Sequence, residues 1–249
     1  MDPARLELIT TYVNEHIDTF HEARLAKLSK LKLSQVLKRK NPYLFRAKNV
    51  VTGSELIESL LRAYLSSSEE ELFGEFLEGL AIFVSELWSG GRKSSTMGLD
   101  LELDRHGIRY IVAIKSGPNW GNSSQYRALD AAFKSAVAVL SKATRIKSIQ
   151  PVLGMCYGRK RPVNRGLYLV LCGQHFWEFI SGEPSFYLDV VKPIGYRAKD
   201  HNDAFEQERG ALHNRLTGEF IRDFCDAQGR IDWAKLVQFN SGQPDACPI

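Results

Sequence analysis

The stretch "GLDLELDRHGIRYIVAIKSG", Gly98 to Gly117, decides how this chain folds. Leu99, Asp100, Leu101, Glu102, Leu103 and Asp104 alternate apolar with acidic, the two-residue period of a strand. His106 and Gly107 interrupt the pattern, and a second run follows from Arg109 to Lys115. A two-residue turn at His106-Gly107 folds the runs into a hairpin, pairing Arg105 with Ile108, Asp104 with Arg109 and Asp100 with Ala113. One face then carries Asp100, Glu102, Asp104, Arg109, Ile111, Ala113 and Lys115. Leu99, Leu101, Leu103, Val112 and Ile114 lie on the other, which is expected to be the core side. Opposed Cβ atoms are about 4.5–5.5 Å apart. An aspartate and a lysine are therefore expected to meet at the open end of the hairpin, just before a Gly/Pro/Asn loop.

Outward from the hairpin, the chain alternates helical and extended patterns. "SSSEEELFGEFLEGLAIFVSELWSGG" reads as a helix that starts at a capping box, Ser68 with Glu71, and is stopped by Gly90-Gly91. Its polar side carries Glu71, Glu75 and Glu78. A separate helix is expected from Ser54 to about Leu65. "NSSQYRALDAAFKSAVAVLSKA" reads as a helix capped by Asn122 to Ser124. "QPVLGMCYG" and "RGLYLVLCG" read as strands, the second buried on both faces, and "HFWEFISG" as a further strand. The first fifty residues are helical, with a stripe at Leu6, Ile9, Val13, Ile17 and Phe20, and the chain is helical again after Pro193. The expected class is α/β, a mixed central sheet flanked by helices with added N- and C-terminal helices.

Charge narrows the function. The net charge of +4 is small, but the two signs are segregated. Ala23 to Ser54 contains no acid and nine basic residues, among them Lys38, Arg39 and Lys40. Ala131 to Trp177 again lacks acids, while "GRKRPVNR" gathers Arg159, Lys160, Arg161 and Arg165. Two long acid-free tracts are the footprint of a polyanionic partner, most often nucleic acid. "GRKRPVNR" sits in a Gly/Pro-broken connection between strands, where arginines can enter a groove and read guanine edges. Asn119 and Trp120, in the loop after Lys115, are further candidates to approach DNA, and Lys38 to Lys40 to grip its backbone or wrap a partner subunit.

No apolar run approaches the ~20 residues that span a bilayer, and the N-terminus is acidic where a secretory signal would be basic. No membrane contact and a cytoplasmic location are expected. Cys156, Cys172, Cys225 and Cys247 are widely spaced without a C-x-x-C pair, the pattern of ordinary thiols. A Walker phosphate loop and a Gly-x-Ser-x-Gly elbow are both missing from the sequence.

An acid and a lysine meeting before such a loop can hold a divalent metal and a phosphate together. Phosphodiester hydrolysis needs an activated water, an electrophile and help for the leaving oxygen, which a carboxylate-held Mg²⁺ and a nearby ammonium supply. Here the chain resembles the PD-(D/E)xK nucleases, with Asp100 at the first acid and Lys115 at the lysine. "KNPYLFRAKN", "SSSEEELFGEFLEGLAIFV", "IKSGPNWGNSSQ", "GMCYGR", "FWEFISG" and "IGYRAKDHNDAF" are similar to type II restriction endonucleases of the PmeII-like group, from about residue 41 to "DWAKLVQFNSG". The resemblance implies Mg²⁺-dependent cleavage of a specific palindromic site in double-stranded DNA by a homodimer. It implies a nuclease core over residues 51–249, continuous with a basic helical segment over residues 1–50 that contacts DNA backbone or the dimer partner.

Ala113 departs from the pattern, which expects Glu or Asp there. Three explanations stand: an introduced Glu→Ala change that cripples cutting, an acid relocated to Glu78 as a metal ligand with Asp100, or a protein that binds DNA without cutting it. A structure-selective repair nuclease of the same superfamily is a further alternative.

Overall fold

The computed structural model of the chain describes residues 2–143 and 148–242; Cys247 lies outside them. The elements run α1 (Pro3–Ser29), α2 (Leu33–Lys38), α3 (Pro42–Ala47), α4 (Gly53–Ser89), β1 (Arg92–Lys93), β2 (Leu101–Arg105), β3 (Ile108–Lys115) and α5 (Ser123–Ala143). After these come β4 (Ser148–Met155), β5 (Val163–Asn164), β6 (Leu169–Cys172), α6 (Gln174–Ser181), α7 (Phe186–Asp189), α8 (Val191–Ile194), α9 (Ala198–Phe224) and α10 (Trp233–Ser241). The six strands form one mixed sheet in the order β1-β2-β3-β4-β6-β5. Neighbours are antiparallel at its two ends, and β4 is parallel to both β3 and β6. This is the restriction endonuclease-like α/β arrangement, a mixed sheet flanked by helices.

The hairpin has the register its sequence dictates. Arg105 pairs with Ile108, Asp104 with Arg109 and Leu101 with Val112. His106 and Gly107 both adopt positive φ, 51° and 76°, as a type I′ turn requires. Both faces of the sheet are buried, not one. Leu101, Leu103, Val112 and Ile114 join α1 residues (Ile9, Val13) and α4 residues (Leu80, Val84) in one apolar cluster. Ile111 and Ala113 join Leu129, Phe133 and Ala136 of α5 in another. Leu99 belongs to this second cluster and not with Leu101, because β2 begins only at Leu101 and the preceding residues turn through Gly98 at φ 81°.

Two element readings are corrected. The helix expected to begin at Ser68 is continuous with the one before it, since α4 runs unbroken for 37 residues. Its serines do not cap; Ser67 Oγ instead donates to the Ala63 carbonyl one turn back. "HFWEFISG" is helix α6, not a strand, with Phe176, Trp177 and Ile180 buried at helical spacing. Gly154 on β4 leaves room for the Phe176 ring, which a Cβ there would strike.

The chain forms two compact units. One runs through Phe20 and from Leu72 to Tyr196; the other takes His21–Glu71 and the chain from Arg197 onward. The first holds the sheet and both clusters above. The second has its own core, in which Leu28, Leu56, Ile57 and Leu61 pack with Leu216 and Phe220. No helix among the described residues is long and apolar enough to cross a membrane.

Candidate active site

The three alternating acids of β2 meet different fates. Glu102, only 5% exposed, accepts from Arg92 Nη2 at 2.8 Å and from Ser94 Oγ at 3.0 Å. Asp104 takes both arms of Arg109, Nε to Oδ1 and Nη2 to Oδ2, each at 2.8 Å. These hydrogen bonds, ahead of the charge attraction, hold the Asp104 carboxyl below its ordinary range. Two of the three acids are thus neutralised within the sheet.

Asp100 is not. It sits where the strand pair opens: its N–H donates to the Val112 carbonyl at 2.9 Å, and its Oδ2 accepts the Ile114 N–H at 2.6 Å. The carboxylate is therefore anchored on β3 backbone at the residue before Lys115. Among the described residues, neither Asp100 nor Glu78 has a basic side chain at ion-pair distance.

Glu78 arrives from α4. Phe76, Leu77, Leu80, Ala81 and Val84 bury one side of that helix against the sheet and bring Glu78 to the open end of the hairpin. The side chain is partly buried, and burial pushes its carboxyl above the usual carboxylate range. Asp100 pushes it further the same way, and Glu75 adds a little, while Lys115 and Lys93 act against them. The three groups named from sequence as acid, relocated acid and lysine thus act on one another. The Cys156 thiol, buried at the end of β4, feels the same pair: burial first, then Glu78 and Asp100, push it up.

Lys115 ends β3, partly buried, with its Nζ 5.6 Å from the centre of the Trp120 ring. Ala113 has no such polar surroundings. It is fully buried in the apolar cluster with Phe133, Leu153 and Met155. Strand alternation carried Ala113 to the face of Lys115, but α5 covers that face two residues before the strand ends.

The donor set fits a divalent cation. Neither carboxylate is tied up by an arginine, and Mg²⁺ commonly takes one or two carboxylates while keeping waters and substrate oxygens as its other ligands. Among the described residues, no group of three or more His, Cys, Asp or Glu side chains is arranged to hold a metal.

The remaining candidates fall in both units. Arg159, Lys160, Arg161 and Arg165 are exposed on the connection from β4 to β6, which includes the short edge strand β5. Asn119 is exposed and Trp120 partly buried. Lys38, Arg39 and Lys40 belong to the second unit. There Arg39 and Lys40 line a cleft of about 670 Å³ with Lys27, Tyr64, Ser67, Ser68 and Glu71, and Lys38 Nζ stands 5.7 Å over the Phe239 ring. The sequence reading missed Lys93 and Tyr126. Lys93 was readable from its place between the Gly90-Gly91 stop and the hairpin. Tyr126 was readable as the first-turn residue of a helix whose cap, Asn122, borders the Trp120 loop.

The mixed sheet flanked by helices is consistent with a restriction endonuclease-like fold. Residues 7–202 match the family described as type II restriction endonuclease EcoO109I, and the chain belongs to that family. No curated protein matches the chain.

Proposed function

We propose that this chain is a Mg²⁺-dependent endonuclease that hydrolyses phosphodiester bonds at a specific palindromic site in duplex DNA, acting as a homodimer in the cytoplasm. Its centre is of the PD-(D/E)xK kind, with Glu78 in place of the strand acid. The observation that carries the reading is the position of Glu78, its carboxyl pushed up beside Asp100 and Lys115 at the open end of one hairpin.

In this reading Asp100 and Glu78 hold the metal, and Asp100 is kept in place by the Ile114 N–H. Mg²⁺ held there would supply a more acidic water and offset charge on the phosphate. Lys115 orients that water by hydrogen bonding and faces the phosphate without competing for the cation. The water oxygen bonds to phosphorus as the bond to one bridging oxygen breaks; the attacking water gives up a proton to solvent and the departing oxygen takes one from it, leaving a phosphate monoester and a hydroxyl end. Ala113 then needs no introduced change to explain it, because the second carboxylate comes from α4. Arg159, Lys160 and Arg161 read the groove, Asn119 borders the cut strand, and Lys38, Arg39 and Lys40 hold phosphates.

The test is digestion of a plasmid library by the unaltered protein in Mg²⁺, followed by sequencing of the ends. Discrete, symmetric ends are expected. A DNA mobility shift at defined sites without cutting in Mg²⁺ or Mn²⁺ would make the protein a binder, and cutting without sequence preference would make it a structure-selective nuclease.

A further inference from the structure

Lys115 is the first member of a file of side chains. Its ammonium stands over the Trp120 ring at 5.6 Å, and that ring packs against Tyr126 with centroids 4.7 Å apart and planes tilted by 52°. The Arg165 guanidinium stands over the Tyr126 ring at 5.9 Å. Cation, ring, ring and cation thus connect the end of β3, the loop before α5, the first turn of α5 and the residue after β5. Aromatic faces attract cations, so each end of the file favours the order seen.

The file is anchored. Asn122 caps α5 through its Oδ1, which accepts from the Ser124 and Gln125 N–H groups at 3.1 Å each, and the Tyr126 N–H donates to the Asn122 carbonyl at 3.0 Å. Arg165 is tied to the residue just before β6, its N–H donating to the Tyr168 carbonyl at 3.0 Å. The indole N–H of Trp120 is buried with no acceptor among the described residues. Its ring is therefore placed by packing, against the apolar cluster between α5 and the sheet and beside Lys115 and Tyr126, and not by a hydrogen bond. An orphaned buried donor is uncommon enough to call for an explanation.

We propose that Trp120 and Tyr126 are positioning residues that fix the Lys115 ammonium and make its placement depend on Arg165, so that DNA bound at Arg159 to Arg161 on the same connection is registered at the lysine. The inference rests on the role given to Lys115 above. Arg165 is then an anchor and not a base reader, unlike Arg159, Lys160 and Arg161.

The experiment measures single-turnover cleavage of bound duplex DNA in Mg²⁺ and, separately, affinity in Ca²⁺. Trp120→Leu should slow cleavage of bound DNA about ten-fold, as small misplacements of a reacting group do, with Kd within about two-fold. Trp120→Phe, which keeps a ring face for the ammonium, should recover most of the rate. Arg165→Gln should slow it about three-fold at unchanged Kd, the size of one exposed cation–aromatic contact. Combined with Trp120→Leu it should add nothing further. Full rate in Trp120→Leu, loss of affinity at unchanged rate in Arg165→Gln, or multiplying effects in the double variant would each overturn the proposal. Should Trp120→Leu fail to fold, the exposed Arg165→Gln and the ring-preserving Trp120→Phe decide it. Lys115→Ala run alongside separates the two ideas: if it cuts at full rate, the role of Lys115 is wrong, whatever the ring variants do.

Discussion

The two ends of one hairpin carry the same residue types and do opposite things. At the turn end, Asp104 and Arg109 satisfy each other through two 2.8 Å hydrogen bonds, and Arg105 Nη2 donates to Ser89 Oγ and the Phe179 carbonyl, both at 2.8 Å. At the open end, Asp100 is bonded only to backbone among the described residues, and Glu78 is pushed toward its neutral form by burial and by Asp100. Alternation put acids along the whole strand, and β1 and β3 supplied arginines for the two nearer the turn. The difference teaches where chemistry is available: a carboxylate already neutralised by arginine has little left to offer a metal, while two without an arginine partner keep their charge free, as the proposed metal site requires.

The largest expected effect tests that contrast directly. Asp100→Asn, Glu78→Gln and Lys115→Ala should each lower the cleavage rate by about 10²–10⁴-fold, the range for a positioned acid–base group. Asp104→Asn, at the other end of the same strand, should leave it within a few-fold. Gel mobility should show DNA still bound by all four. Equal losses at both ends would erase the distinction.

Next in size is Ala113→Glu, which asks whether the missing strand acid can be restored. The side chain is fully buried among Phe133, Leu153 and Met155, so a carboxylate there would lack both room and a partner. We expect a loss of about 3–5 kcal/mol of stability in urea, the cost of an uncompensated buried charge, and no gain in cutting. A stable, faster variant would move the second acid from Glu78 back to the strand.

Glu78→Gln should also raise the Tm of the metal-free protein at neutral pH. The folded-state pKa of Glu78 lies above its unfolded value, so the fold binds its proton more readily than the open chain does. The carboxylate therefore destabilises the fold at neutral pH. That penalty fades as pH falls through the raised pKa and is gone below the ordinary carboxylate value. The advantage of Glu78→Gln over the unaltered protein should shrink along the same course in a series of thermal melts, and Mg²⁺ should abolish it by stabilising only the unaltered protein.

What the sequence disclosed and withheld follows from the range of the forces involved. The hairpin register was legible because turn chemistry at His106-Gly107 and period-two alternation are local. So were the capped start of α5 and the basic connection after β4. The break between Leu99 and Leu101 was not, because Gly98 redirects the chain where alternation alone continues it. The apolar enclosure of Ala113 depends on α5, some twenty residues away, covering the acid-bearing face; nothing within the strand announces it. Ser68 and Glu71 offered a true capping pattern that α4 overrode, since Leu65 and Phe76, on either side of it, are both buried and reward a continuous helix. Glu78 could be named from sequence as a candidate, but its electrostatic tie to Asp100 could not.

The smallest effect lies at the turn end. Asp104 keeps its carboxyl below the ordinary range through Arg109, so the pair stabilises the fold above the unfolded carboxylate pKa of about 3.9, and that contribution is lost as pH falls through the lower folded value. The Asp104 side chain is 47% exposed, and solvent screening limits the pair to about 0–1 kcal/mol. Asp104→Asn should therefore lower Tm slightly at neutral pH and converge with the unaltered protein at strongly acidic pH, the reverse in sign of Glu78→Gln under the same conditions. Melts of the two variants across pH thus report on the two ends of the hairpin independently of cleavage. If both shifted Tm in the same direction, the open end would be a structural ion-pair network like the turn end, and the argument for a metal there would lose its footing.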